Sequence, residues 1–273
     1  MWFPGRVTDD ERARSAPRRR TSAASWVIAT VLAVAALGVS WLGMDRILNG
    51  APPAADGGPI AAPGQTEEPA PTPTVNIDIA TPSSPSVLVG PRFPLAPVDY
   101  APADLVQLES ISLPASPGAA LEHDAAYALL QLFADARYEQ GLALSVDRGY
   151  VSAADQAAEY DAAVASSGQE AADREVGSPA HNEHQTGYAA DIALEGDACS
   201  LQACFADTDA GQWLAEHATD YGFIVRYPNG SSAQTGVADA PYQLRYVGDE
   251  LAAQIRASGA ATYEEFLGLP PAG

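Results

Sequence analysis

Between Ala23 and Met44 the chain runs for 22 residues without a single charge (AASWVIATVLAVAALGVSWLGM). At about 1.5 Å per residue, a helix of that length crosses the roughly 30 Å hydrocarbon core of a bilayer. Trp26 and Trp41 stand near its two ends, the depth at which interfacial aromatics sit. Arg18, Arg19 and Arg20 precede it directly, which predicts a cytoplasmic N-terminus and an outward C-terminal portion. The run is longer than the apolar core of a typical cleaved signal peptide and holds no clear cleavage site. The expectation is a cytoplasmic Arg-rich stub at 1–22, one transmembrane helix at 23–44, and a cell-membrane protein whose remainder is extracellular.

Charge supports that partition. All 14 basic residues are arginines; six precede the apolar run against three acids, so the stub carries +3 and the chain after Met44 carries −24. Phosphate recognition needs a basic surface, so nucleic acid is excluded as the expected partner of the outer part. Cys199 and Cys204 both fall on the predicted outer side, where disulfides persist. A small-loop disulfide is the expected state, because a metal role needs more soft or imidazole ligands than this pair supplies.

The stretch from about 45 to 97 is rich in Pro, Ala, Gly and Thr. Proline fixes φ and removes a donor, so this stretch is expected to be a semi-extended spacer with neither helix nor ladder. A folded domain is expected from 98 to 273. There, a helical stripe over 119–140 ends at Gly141, an alternating strand follows at 142–146, and Ser152 with Asp155 opens a second helix. Further strands are expected at 188–194, 223–227 and 242–247, with helices capped by Thr208 and begun at Asp249 and Thr262. Strands and helices mix without βαβ alternation. The predicted class is therefore α+β, a small mixed or antiparallel sheet flanked by helices.

The motif with chemistry in it is Asn182-Glu183-His184-Gln185-Thr186-Gly187-Tyr188-Ala189-Ala190-Asp191. A turn at Gln185–Gly187 can fold the chain back so that the His184 imidazole and the Asp191 carboxylate converge on one metal ion. This stretch resembles the S-E-H-Q-T-G-x-A-x-D motif of the VanY-type zinc D-alanyl-D-alanine carboxypeptidases, a metallopeptidase family in which that His and Asp bind zinc. Gly149-Tyr150-Val151-Ser152 with Gln156, Trp213-Leu214, Tyr221 to Pro228, Thr235-Gly236 and Leu244 to Gly248 resemble further family motifs. The resemblance implies the fold of those enzymes, peptidoglycan stem peptides as ligands, and a substrate pocket containing Tyr150, Ser152, Gln156, Thr186, Tyr242 and Arg245.

The departures shape the functional expectation. Where the family reads E-P-W-H-x-R-Y, this chain reads Ala240-Pro241-Tyr242-Gln243-Leu244-Arg245-Tyr246. Ala240 stands in place of the general base and Gln243 in place of the third zinc ligand, while Val151 replaces an arginine that helps bind substrate. Loss of a general base costs a factor of about 10² to 10⁴. With His184 and Asp191 as the two strong donors and Gln243 as a weak third, zinc is expected to be loosely held. The leading expectation is a catalytically impaired domain that acts by binding stem peptides or an envelope protein. The alternatives are an active enzyme with a rebuilt site, drawing on His181 or Asp239, and a purely structural envelope protein. Arg148 stands three residues before Val151 and is expected, from strand alternation, to point elsewhere.

Overall fold

The structure is a computed structural model and describes residues 76–272. The stub, the apolar run at 23–44 and the spacer up to residue 75 lie outside the described residues. Among the described residues no helix is long and apolar enough to cross a membrane.

A two-stranded antiparallel ribbon, β1 (Leu105–Gln107) and β2 (Ala120–Glu122), leads into the long helix α1 (His123–Gln140). Then follow β3 (Leu144–Arg148), α2 (Ala153–Ser167), α3 (Gln169–Glu175), β4 (Ala189–Leu194), α4 (Asp209–His217), β5 (Phe223–Tyr227), the single turn α5 (Ser232–Thr235), β6 (Ala240–Tyr246), α6 (Asp249–Ser258) and the short α7 (Tyr263–Phe266). The main sheet is wholly antiparallel in the order β3-β4-β6-β5. This is the expected α+β architecture. α3 and the β1–β2 ribbon are additions, both too short to leave a periodic signature in the sequence.

Capping residues end these helices where local chemistry demands. Gly141 closes α1 in the left-handed conformation, and its N–H donates to the Arg137 carbonyl. The Ser152 hydroxyl caps α2 by accepting from the Asp155 N–H, and Thr208 caps α4 by accepting from the Gly211 N–H. One face of the sheet is apolar: Val146, Ala190, Ile192 and Leu244 pack with Leu129, Leu132 and Phe133 of α1 and with Trp213 and Leu214 of α4. Side chains alternate across a strand. Burying Ile192 therefore commits Asp191 to the opposite face.

Residues 76–97, expected as spacer, are instead part of the folded unit. Val87, Leu88, Val89 and Leu95 are buried. Proline prevents this segment from laddering, yet its carbonyls remain acceptors, and buried side chains of the domain supply the donors. Arg245 Nη2 donates to the carbonyls of Pro85 (3.1 Å) and Val87 (2.9 Å), and the Tyr263 hydroxyl donates to that of Ser86 (2.7 Å).

The same arginine belongs to an ionic cluster sealed from solvent. Arg226 Nε contacts Glu183 Oε1 at 2.6 Å, and its two terminal nitrogens grip both oxygens of Glu264 at 2.9 and 2.6 Å. Arg245 Nη1 faces Glu183 Oε2 at 3.2 Å, a charge contact whose angles fall outside hydrogen-bond geometry. Burial by itself raises the Glu183 carboxyl, but Arg226 and Arg245 outweigh it and hold the group below its ordinary value of 4.5. A carboxylate depressed in the folded state stabilises above its unfolded value, and that contribution fades as pH falls through the folded one. Replacing Glu183 with Ala strands a buried arginine and is expected to cost about 3–5 kcal/mol in urea unfolding at pH 7. In the wild type the contribution of Glu183 should be complete above about pH 4.5 and diminish below it, a slope that E183A should lack.

Candidate functional site

Gly149 begins the site. It follows β3 so closely against β2 that a Cβ there would collide with the Ala120 carbonyl. Its own carbonyl receives the His184 ring: Nδ1 lies 2.8 Å from Gly149 O. A carbonyl can only accept, so Nδ1 is the donor and the Nε2 lone pair faces outward. His184 sits in a 3-10 turn over Glu183–Thr186, whose start is capped by the Asn182 side chain accepting from the His184 N–H (2.8 Å) and whose end is the left-handed Gly187. Nε2 stands 3.3 Å from Asp191 Oδ2. Two electron-pair donors thus converge at a spacing suited to a shared proton or a cation. The other Asp191 oxygen, Oδ1, is buried without a partner.

Asp191 lies between two cross-strand neighbours. On β6 its register partner is Gln243. On β3 its partner is Arg148, and a bulge at Asp147 makes this so: Val146 pairs with Ile192, then the register skips one residue. Cross-strand partners share a face. Arg148–Asp191–Gln243 therefore form a row on the side of the sheet opposite the core. Without the bulge, Arg148 would oppose Ala190 and point into the core face. The expectation that Arg148 points elsewhere is corrected on this ground. Val151, where the arginine was expected, is absent from the cavity wall; its N–H donates to the His184 carbonyl instead.

The row floors a cleft of about 440 Å³. Its walls come from the end of α3 (Asp173 to Gly177), the loop Leu201–Ala203, and the stretch Val237–Ala240 that enters β6. His184, Asp191, Ala240, Tyr242 and Gln243 all line it, so the sequence-derived centre is assembled as expected. Burial, and then the nearby Asp191 charge, raise the Tyr242 phenol above its ordinary value, so it is a neutral hydroxyl at pH 7. Tyr150, Ser152, Gln156, Thr186 and Arg245 do not line the cleft. Ser152 is occupied as the α2 cap. Thr186 closes its own turn, donating to the Glu183 carbonyl and accepting from the Tyr188 N–H. Gln156 supports from behind, donating to the Val176 and Gly177 carbonyls and accepting from Arg148. Arg245 belongs to the buried cluster.

Neither rescue candidate is grouped with His184 and Asp191 into a set of three metal ligands among the described residues. Asp239 lines the cleft, but its oxygens accept from the N–H groups of Gly230 (2.6 Å) and Ser232 (3.1 Å) and organise that loop. The Nδ1 of His181 lies 3.1 Å from both Ser178 Oγ and the Pro179 carbonyl. The cleft wall at Leu201–Ala203 was not anticipated. Its only signal in the sequence was the flanking pair Cys199 and Cys204, which are disulfide-bonded as expected.

A profile of the VanY D-alanyl-D-alanine carboxypeptidases matches residues 118–249. YodJ of Bacillus subtilis, named provisionally as a carboxypeptidase, is 34% identical over 191 residues, covering 69% of each chain. The chain belongs to the VanY-type D-alanyl-D-alanine carboxypeptidase family. The LdcB LD-carboxypeptidase, whose structure concerns peptidoglycan recognition, is similar at a TM-score of 0.62 and 33% identity, over 68% of this chain and 87% of that one. A variant of the vancomycin-resistance D,D-pentapeptidase VanY, solved with Zn(II), is similar at 0.54 and 30% identity, over 66% and 97% of the respective chains.

A zinc ion of the kind held at a VanY-type site would find two of its protein ligands here. His184 Nε2 and Asp191 fit as two ligands: the tautomer is correct and the carboxylate has an unpaired oxygen. The third position does not fit. Among the described residues, no three His, Cys, Asp or Glu side chains are grouped to hold a metal, and Gln243 offers a neutral amide oxygen. Tetrahedral sites of this type need three strong protein ligands and a water.

Because the disulfide closes the loop that forms one wall, replacing both Cys199 and Cys204 by Ser is expected to lower stability by about 2 kcal/mol. Amide exchange should accelerate at Leu201–Ala203 while the sheet remains protected.

Proposed function

We propose that this protein is a membrane-anchored, extracellular member of its family that binds peptidoglycan stem peptides and hydrolyses them poorly or not at all. One observation carries the reading: the residue paired across the sheet with Asp191 is Gln243, and the cleft wall beside it is Ala240. A water held there meets two strong metal donors, and the wall position where the family carries its general base is an alanine, which favours a weak nucleophile. The cleft, the His184–Asp191 pair and the neutral Tyr242 remain, which favours retained recognition. The ligand class follows from the family, whose members act on peptidoglycan peptides. The anchor follows from the uncharged run at 23–44 and the arginines before it.

The test is D-alanine release from N-acetyl-L-lysyl-D-alanyl-D-alanine, and from a peptide with an L,D terminus, with saturating zinc. The wild type should release none detectable, at least about 10²-fold below a variant in which Ala240→Glu and Gln243→His restore base and ligand. That double variant should also bind zinc at least about tenfold more tightly. Zinc-dependent release by the wild type at a rate comparable with that of the double variant, abolished by Asp191→Ala, would overturn the proposal.

A further inference from the structure

We infer that Arg148 is the residue that receives the free C-terminal carboxylate of a bound peptide, from a strand position that only the β3 bulge brings into the cleft. The inference rests on the peptide-binding reading above and adds an orientation to it.

Charge makes Arg148 the candidate. Residues 76–272 hold 28 acids and seven arginines with no lysine, so a carboxylate is repelled by most of this surface. Arg226 and Arg245 are sealed in the ionic cluster, Arg256 pairs with Asp220, and Arg92 donates to the carbonyls of Pro270 and Pro271. Only Arg148 and Arg174 line the cleft. Arg174 lies on the rim with its side chain 61% exposed, whereas Arg148 lies on the floor in register with Asp191.

Geometry makes it a receptor. The Arg148 guanidinium is positioned by Gln156, itself fully buried and clamped to two carbonyls. Its Nη2 also contacts Glu159, while its Nε is buried with no hydrogen-bond partner. A buried donor left unmet calls for an explanation, and a carboxylate forked onto the guanidinium edge satisfies it. Glu159 is only a half-exposed competitor, and pairs of that kind hold weakly. Neighbouring strands lie about 4.8 Å apart, and one peptide residue spans about 3.8 Å. A carboxylate at Arg148 therefore lies on the same cleft floor as the Asp191–His184 pair.

The experiment compares binding of N-acetyl-L-lysyl-D-alanyl-D-alanine and of its C-terminal carboxamide to the full chain, by calorimetry. The wild type should favour the acid at least about tenfold, the scale of one charge-assisted contact. Arg148→Ala should abolish the preference for the acid over the amide. Glu159→Gln removes the internal competitor without touching the cleft, and should tighten the acid by up to about fivefold while sparing the amide. That second variant keeps the test decisive if Arg148→Ala misfolds. Equal binding of acid and amide by the wild type, or an acid preference that survives Arg148→Ala, overturns this inference while stem-peptide binding stands. If neither peptide binds the wild type, both readings fall.

Discussion

The sealed cluster of Glu183, Arg226, Arg245 and Glu264 is the interaction on which the rest of this domain depends. It joins four pieces of chain far apart in sequence: the turn bearing His184, the strands β5 and β6, and helix α7. Through Arg245 and Tyr263 it also draws in the proline-rich segment around Ser86. Removing so many charges from water carries a large penalty, offset only when each charge meets a partner at close range. Replacing the cluster with apolar side chains could preserve stability, but it would relax the position of the His184 turn. Its value is placement: Glu183 is the immediate neighbour of His184, and Arg245 stands two residues beyond Gln243.

Two of these residues lie in motifs whose other members face the cleft, so a linear reading assigned Arg245 to the pocket. Position along the strand explains the difference. Gln243 and Arg245 share the face of β6 opposite Leu244, but Arg245 lies one pair further along, opposite Ala189, where it meets Glu183 and the carbonyls of Pro85 and Val87 instead of the cleft. The scaffold and the reacting positions are thus separate sets of side chains woven into the same strands. Ala240, Gln243 and Val151 lie outside the cluster and the caps, so the residues at these positions can vary while the scaffold stays the same.

The bulge at Asp147 has the opposite effect, altering which residues meet at the site without altering the fold. A single extra residue exchanges the face of everything beyond it. It takes Arg148 out of the core-facing register and sets it beside Asp191. The cleft floor becomes a row of cation, anion and amide, arginine then aspartate then glutamine, with the imidazole facing the anion.

Local rules made much of this legible beforehand. The helix ends at Gly141, Ser152 and Thr208, the strands over 189–194 and 223–227, the disulfide, and the convergence of His184 on Asp191 follow from caps, alternation and motif spacing, each an interaction between residues near in sequence. The identities of Ala240 and Gln243 were equally plain, because motif residues on both sides held the frame. What tertiary structure decided was everything that depends on distant partners. Proline-rich residues 76–97 became part of the domain because arginine and tyrosine donors more than a hundred residues away found their carbonyls. Arg245 became scaffold because Glu183 lay waiting for it. Arg148 entered the cleft because a bulge is a property of two paired strands, invisible in either strand alone.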